Sequence, residues 1–108
     1  MPVLKDVRNT IEIGLPSFKG GKVIFYDGFL VSDFEKISRI KDTYKAGIAS
    51  LIALIKEWNL TDEEGNVLPV SEENLKKLPA KDLVVLMDEM RKIIKETEKK
   101  TRKLSKSS

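Results

Sequence analysis

Ile11-Glu-Ile-Gly-Leu15, the loop Pro16-Ser-Phe-Lys-Gly-Gly21, and Val23-Ile-Phe-Tyr26 closed by Asp27-Gly28 together decide the fold class. Ile11, Ile13 and Leu15 alternate with Glu12 and Gly14, the period of two that gives a strand one buried face. Val23–Tyr26 is β-branched and aromatic, which suits a pleated, half-buried surface, and Asp27-Gly28 is a turn dipeptide. The two runs predict an antiparallel hairpin. An isolated hairpin is marginal in water, so it must pack on whatever follows.

Helical spacing follows the hairpin. Ser32-Asp-Phe-Glu35 reads as a capping box, with the Ser32 hydroxyl and the Glu35 carboxylate satisfying each other's amides. Phe34, Ile37, Tyr44, Ile48, Leu51, Ile55 and Trp58 then recur at steps of three and four, with a miss at Lys41 that Ile40 covers in part. One helix over residues 32–58 and two helices broken near Asp42-Thr43 both satisfy this pattern. Ala46–Ile55 has no charged face and is expected to form the central core helix. It is also the longest uncharged apolar run, about half of what a bilayer-spanning helix needs.

Thr61-Asp-Glu-Glu-Gly65-Asn reads as an acidic turn, Ser71 with Glu72 and Glu73 as the start of a short helix carrying Leu75 and Leu78, and Pro79 as the first turn of a final helix. On that helix Leu83, Leu86, Met87, Met90, Ile93 and Ile94 form an amphipathic stripe. The expected class is α+β, mainly α: an N-terminal β-hairpin, then three or four helices, the last long with a basic end. Residues 1–9 are assigned to an N-terminal arm, 10–94 to a single compact domain, and 95–108 to a basic helical extension whose Ser105-Lys-Ser-Ser end lacks order.

A chain of 108 residues has room for about one such domain. It contains no Cys and no His, which excludes disulfides, Ser-His-Asp and Cys-His nucleophile systems, and zinc sites built on thiolate or imidazole. Without a His, acid–base work would need a desolvated Glu or Lys, and nothing in the sequence marks one. The reading is that the chain is not an enzyme and takes no metal or other cofactor. The Asp62-Glu-Glu-Gly-Asn turn lacks the alternating ligands of a calcium loop, and Gly20-Gly21 lacks the Gly-Lys-Ser/Thr of a phosphate cradle.

The formal charge of +3 hides two regions. Residues 91–108 hold eight basic and two acidic side chains, a net +6, which leaves residues 1–90 at −3. The sequence pI of about 9.1 therefore describes the tail. That tail carries no aromatic and no reader motif, which weighs against nucleic acid, and Glu96–Lys100 and Glu98–Arg102 are the i, i+4 pairs of a solvated helix end. No basic, apolar and small-residue leader opens the chain, so a cytoplasmic setting is expected, with no membrane partner. Helical spacing alone places the Met87, Met90 and Ile94 stripe in the core. Adaptable methionines also suit a partner groove, which makes Met87, Met90, Ile93, Ile94, Lys95, Lys99 and Arg102 the candidate partner-binding residues.

The run Trp58-Asn-Leu-Thr-Asp-Glu-Glu-Gly-Asn-Val-Leu-Pro-Val-Ser-Glu-Glu-Asn-Leu-Lys-Lys-Leu-Pro79 resembles a segment of the tail assembly chaperones of long-tailed bacteriophages and prophages. Ile13-Gly-Leu-Pro-Ser-Phe, Val23–Asp27 and Leu30-Val-Ser-Asp-Phe likewise resemble the strand pair that opens several of them. The resemblance implies a siphovirus-type chaperone that binds the tape-measure protein and keeps it soluble for tail-tube assembly. It implies action in the host cytoplasm and absence from the mature virion; self-association is a further partner that the sequence leaves open. Many members also have a longer frameshifted form that contacts the tube protein, and no tube-binding extension is found here. The alternatives are a small virion component, such as a head–tail connector or tail-completion protein, and a basic-tailed nucleic-acid accessory protein.

Overall fold

A computed structural model describes residues 2–107, with side chains through Lys100. Strands β1 (Thr10–Gly14) and β2 (Lys22–Tyr26) form the expected hairpin, with Ile11 opposite Phe25 and Ile13 opposite Val23. These four side chains share the face turned to the core, and Val23 and Phe25 are fully buried. In the hairpin loop the Leu15 amide donates to the Gly21 carbonyl at 3.0 Å and the Gly21 amide to the Phe18 carbonyl at 2.8 Å. A Cβ at Gly21 would lie 2.8 Å from the Phe18 Cβ and 3.0 Å from its carbonyl oxygen, so the loop needs glycine there to close.

The predicted 32–58 segment divides into three elements. Helix α1 (Val31–Ser38) ends before Arg39, helix α2 (Thr43–Leu54) starts at Asp42, and Ile55–Trp58 is a strand, β3. The Asp42 carboxylate accepts the Lys45 amide at 3.0 Å, which is the N-cap that fixes the break. The start of α1 also corrects the Ser32–Glu35 reading. Asp33 reaches back to the Leu30 amide at 3.0 Å, and the reciprocal half of a capping box is missing because Leu30 has no side-chain acceptor.

β3 pairs antiparallel with β2, giving the sheet order β1-β2-β3. Ile24 faces Glu57 and Phe25 faces Ile55, so Lys56 is an extra residue on β3 and a bulge. The bulge turns Ile55 and Trp58 to the same core face three residues apart, with Lys56 and Glu57 both exposed between them. A spacing of three is what a helix shows, and this is why the strand reads as helix in the sequence.

Helices α3 (Glu72–Leu75) and α4 (Ala80–Ser107) complete the fold, which is α+β and mainly helical. Ser71 caps α3 by accepting the Asn74 amide at 3.2 Å. The Pro79 carbonyl accepts from Asp82 and Leu83 at 3.0 and 3.3 Å, opening α4 where its own missing N–H costs nothing. α4 is continuous across residue 95 and runs on through Ser105–Ser107, the stretch that the sequence reading leaves without order; Ser108 lies outside the described residues. Thr97 still meets the body, its hydroxyl lying 3.9 Å from where a Cβ on Gly28 would stand. Leu51, Leu54, Leu75 and Leu86 join Val23 and Phe25 as the fully buried centre, where sheet, α2, α3 and α4 converge.

The N-terminal arm is anchored through one side chain. The Arg8 guanidinium lies 3.6 Å over the Tyr26 ring, donates to the Gly28 carbonyl at 3.0 Å, and forks onto the Asp6 carboxylate at 2.7 and 3.0 Å. The hydrogen bonds from the Arg8 side chain, and then from its backbone amide, hold the Asp6 carboxyl down at about 2. A carboxyl whose folded value lies below its unfolded one stabilises the fold above its unfolded value and loses that contribution as acid protonates it. The Asp6 anchor should therefore be complete above about pH 4 and fade as the pH falls towards 2. Carboxyl-detected NMR checks this; an Asp6 midpoint near the ordinary 3.8 would contradict it.

Candidate partner-binding surface

α4 places its stripe in two environments. Met90 and Ile93 are 8% and 3% exposed and belong to the core, so neither offers surface to a partner, and the partner reading of these two residues is corrected. Met87 is half-buried against the core, with its Cε 3.9 Å from where a Cβ on Gly47 would stand. Ile94 lines an apolar cleft against α1, and the buried Ile93 borders a smaller one of about 190 Å³ with Ile11, Asp27, Glu89, Lys92, Glu96 and Lys100. Lys95 and Lys99 are exposed on the same helix as Ile94, and the Arg102 side chain lies outside the described residues.

The Ile94 cleft runs between α1, α2 and α4. It encloses about 220 Å³ and is lined by Phe29, Phe34, Ile37, Ser50, Ile94, Thr97 and Glu98. A second cleft of about 280 Å³ lies on the other side of Ile37, between Asp33 and Lys36 of α1 and Ala49, Ile52 and Ala53 of α2. The cause is local. α2 turns small side chains, Ala49, Ser50 and Ala53, towards α1, and these give Phe34 and Ile37 little to interlock with. The Phe29 and Phe34 rings pack on each other at 5.1 Å between centroids, yet Phe34 stays 51% and Val31 75% exposed. No residue of α1 is buried.

The Phe34 and Ile37 positions read as core in the sequence, so this apolar edge goes unrecognised there. The available signal was stoichiometric: α2 is apolar on all sides, and one flank of it has only an eight-residue helix to cover it.

A larger cleft of about 350 Å³ lies at the opposite end, lined by Phe18, Gly20, Gly21, Trp58, Asn59, Thr61, Leu68, Asn74 and Lys77 among others. Its side-chain amides are committed to the framework. Asn59 accepts the Lys22 amide at 2.7 Å and donates to the Gly20 carbonyl at 2.9 Å, and Asn74 donates to the Pro69 carbonyl at 2.8 Å. The Trp58 indole donates to the Leu68 carbonyl at 2.7 Å. Asp62 accepts the amides of Glu64 and Asn66 at 2.9 and 3.0 Å, and Gly65 takes the positive φ of 88° that this turn requires. The residues of the Trp58–Pro79 run thus hold a lap joint between sheet and helices. Among the described residues no group of three or more acidic side chains is placed to hold a metal ion, and no helix is long and apolar enough to cross a membrane.

No known protein family, curated protein or solved structure matches the chain. What the chain offers a partner is an apolar cleft between three helices, with Lys95 and Lys99 exposed on the same helix as Ile94.

Proposed function

We propose that this chain is a tail assembly chaperone of a long-tailed phage or prophage, acting by reversible binding of the tape-measure protein and without catalysis. The observation that carries this reading is the open apolar cleft between α1, α2 and α4, with half-exposed Phe34 on its rim and Ile94 in its wall. A tape-measure protein is a long helix with apolar stripes, and such a stripe laid in a groove is a recurring mode of helix recognition. Exposed apolar patches on small domains mark interaction sites more often than they serve the fold. The resemblance of the Trp58–Pro79 run supplies the identity of the partner, while its residues supply the framework that holds the cleft's helices. The chaperone works in the host cytoplasm and leaves before the virion is complete.

Co-expression with the tape-measure protein of the same phage tests the proposal. The tape-measure protein should become soluble and co-purify, and Ile94→Asp, in the α4 wall of the cleft, should abolish both effects while circular dichroism shows the chaperone still folded. Mass spectrometry of purified particles should find no copy of the chain. Unchanged solubility, or a stoichiometric presence in virions, would overturn the reading.

A further inference from the structure

α1 covers the cleft without being held by it. Its eight residues include none that is buried, its main contacts are to α2 with Phe34 also stacked on Phe29, and clefts of about 220 and 280 Å³ flank Ile37 on either side. Both of its ends are irregular, Asp27–Leu30 before it and Arg39–Asp42 after it. A helix this short does not persist alone in water, so α1 stays helical through its Asp33 cap and its seat on α2. A segment with few buried apolar contacts sits at the low end of a protein's local stabilities and opens well before the whole unfolds.

The surface beneath it is a different matter. Ser50 of α2 lines one cleft with Ile94 and Thr97 of α4, Ala49, Ile52 and Ala53 of α2 line the other, and Ile37 of α1 borders both, so lifting α1 would join them into one trough; α4 continues past the body towards Ser107. Both walls belong to helices anchored in the core by Leu51, Leu54, Leu86 and Met90. A rigid trough roofed by a loose helix is the geometry of an occupied binding site whose occupant is replaceable.

We propose that α1 is an internal surrogate: it occupies the trough that a partner helix takes, and it swings out about its two irregular flanks when the partner seats. The surrogate also specifies what fits. It presents Phe34 and Ile37, one turn apart, to small side chains, with Asp33 and Glu35 beside them. The α4 wall of the cleft carries Glu98, and on the exposed flank beyond it Arg91 and Lys99 pair with Asp88 and Glu96, so that flank is mixed in charge. The occupant is therefore an amphipathic helix with large apolar residues three apart, longer than α1 so that it also covers Ile94 and Thr97. A partner displaces α1 only by the difference in affinity between the two helices for the trough, and α1 thereby keeps weak apolar helices out. The partner's identity rests on the chaperone reading; the displacement of α1 does not.

The probe is a fluorescein-labelled peptide of residues 29–41, the chain's own α1, titrated against the full-length protein. Phe34→Asp in the protein unseats α1 and should tighten peptide binding about tenfold over wild type. Because the chain has no cysteine, Ile37→Cys with Ala49→Cys or Ala53→Cys makes a single disulfide that locks α1 down. The locked protein should not bind the peptide until it is reduced. Hydrogen exchange of the wild-type protein should show α1 amides roughly a hundredfold faster than those of α2. Equal exchange in α1 and α2, or peptide binding indifferent to both the lock and Phe34→Asp, would overturn the surrogate. If the tape-measure protein fails to co-purify while these results hold, the partner is wrong and the trough stands.

Discussion

Trp58→Ala should cost about 3–5 kcal/mol, enough to leave a domain of this size largely unfolded at 37 °C. Trp58 is 5% exposed on the core face of β3, opposite Val23. Truncation opens a cavity in the core and leaves the Leu68 carbonyl without the indole donor that reaches it at 2.7 Å. The second loss matters because the 60–68 segment folds back through that bond, the Thr61–Val67 bridge and the Leu68 amide to Leu60 carbonyl bond at 2.9 Å. Trp58→Phe separates the two effects: it keeps most of the packing, loses the hydrogen bond, and should cost about 1–3 kcal/mol. Urea denaturation followed by circular dichroism gives both values. A Trp58→Ala midpoint close to wild type would contradict the account of the joint.

Asp82→Ala should destabilise by about 2–4 kcal/mol, the larger part from a backbone donor left buried and unpaired. Asp82 lies in the first turn of α4, is fully buried, and accepts the Ser17 amide from the hairpin loop at 3.0 Å. It thus ties sheet to helix across 65 residues of sequence. A carboxylate in the first turn also meets the positive end of the α4 dipole. Among the described residues its other oxygen and the Ser17 hydroxyl are buried without a hydrogen-bond partner. Asp82→Asn keeps one carbonyl oxygen for the Ser17 amide and supplies a donor, and should cost well under half of what alanine costs. Equal losses for the two variants would show that charge, rather than the Ser17 bond, sets the effect.

Much of this fold is legible in the chain because local preference and tertiary packing agree. Ile11, Ile13, Val23 and Phe25 alternate and do form one face of a hairpin; Ser71 caps α3 and Pro79 opens α4 where sequence rules place them. Legibility fails where a local irregularity imitates another period. The bulge at Lys56 gives Ile55 and Trp58 the spacing of a helix, and no count of apolar residues separates that from a continuation of α2. Asp82 is invisible for a different reason. In sequence it is an ordinary first-turn acid, and only the topology brings Ser17 to it.

The candidate surface is the least legible part. Of the stripe on α4, Met90 and Ile93 went to the core and Ile94 to the cleft, although all three share one helical face. The difference is set by what lies opposite them. Met90 and Ile93 join the core cluster with Phe25 and Ile55, whereas Ile94 meets the short α1, whose contact with α2 is too thin to seal it. Periodicity reports which residues need cover and leaves open which element supplies it.

The bulged strand also has a consequence for how the chain is made. β2 is paired with β1 by a short hairpin, but β3 reaches its other edge only after the 28 residues 27–54. At about 5–20 residues per second of synthesis, Val23-Ile-Phe-Tyr26 emerges several seconds before Ile55–Trp58 exists to cover it. An apolar strand edge left bare for that long invites pairing with neighbouring nascent chains. The safest expression of this protein therefore keeps few nascent chains side by side, and codons that delay the ribosome between Asp27 and Trp58 should send more of it into aggregates than the same delay placed after Pro79.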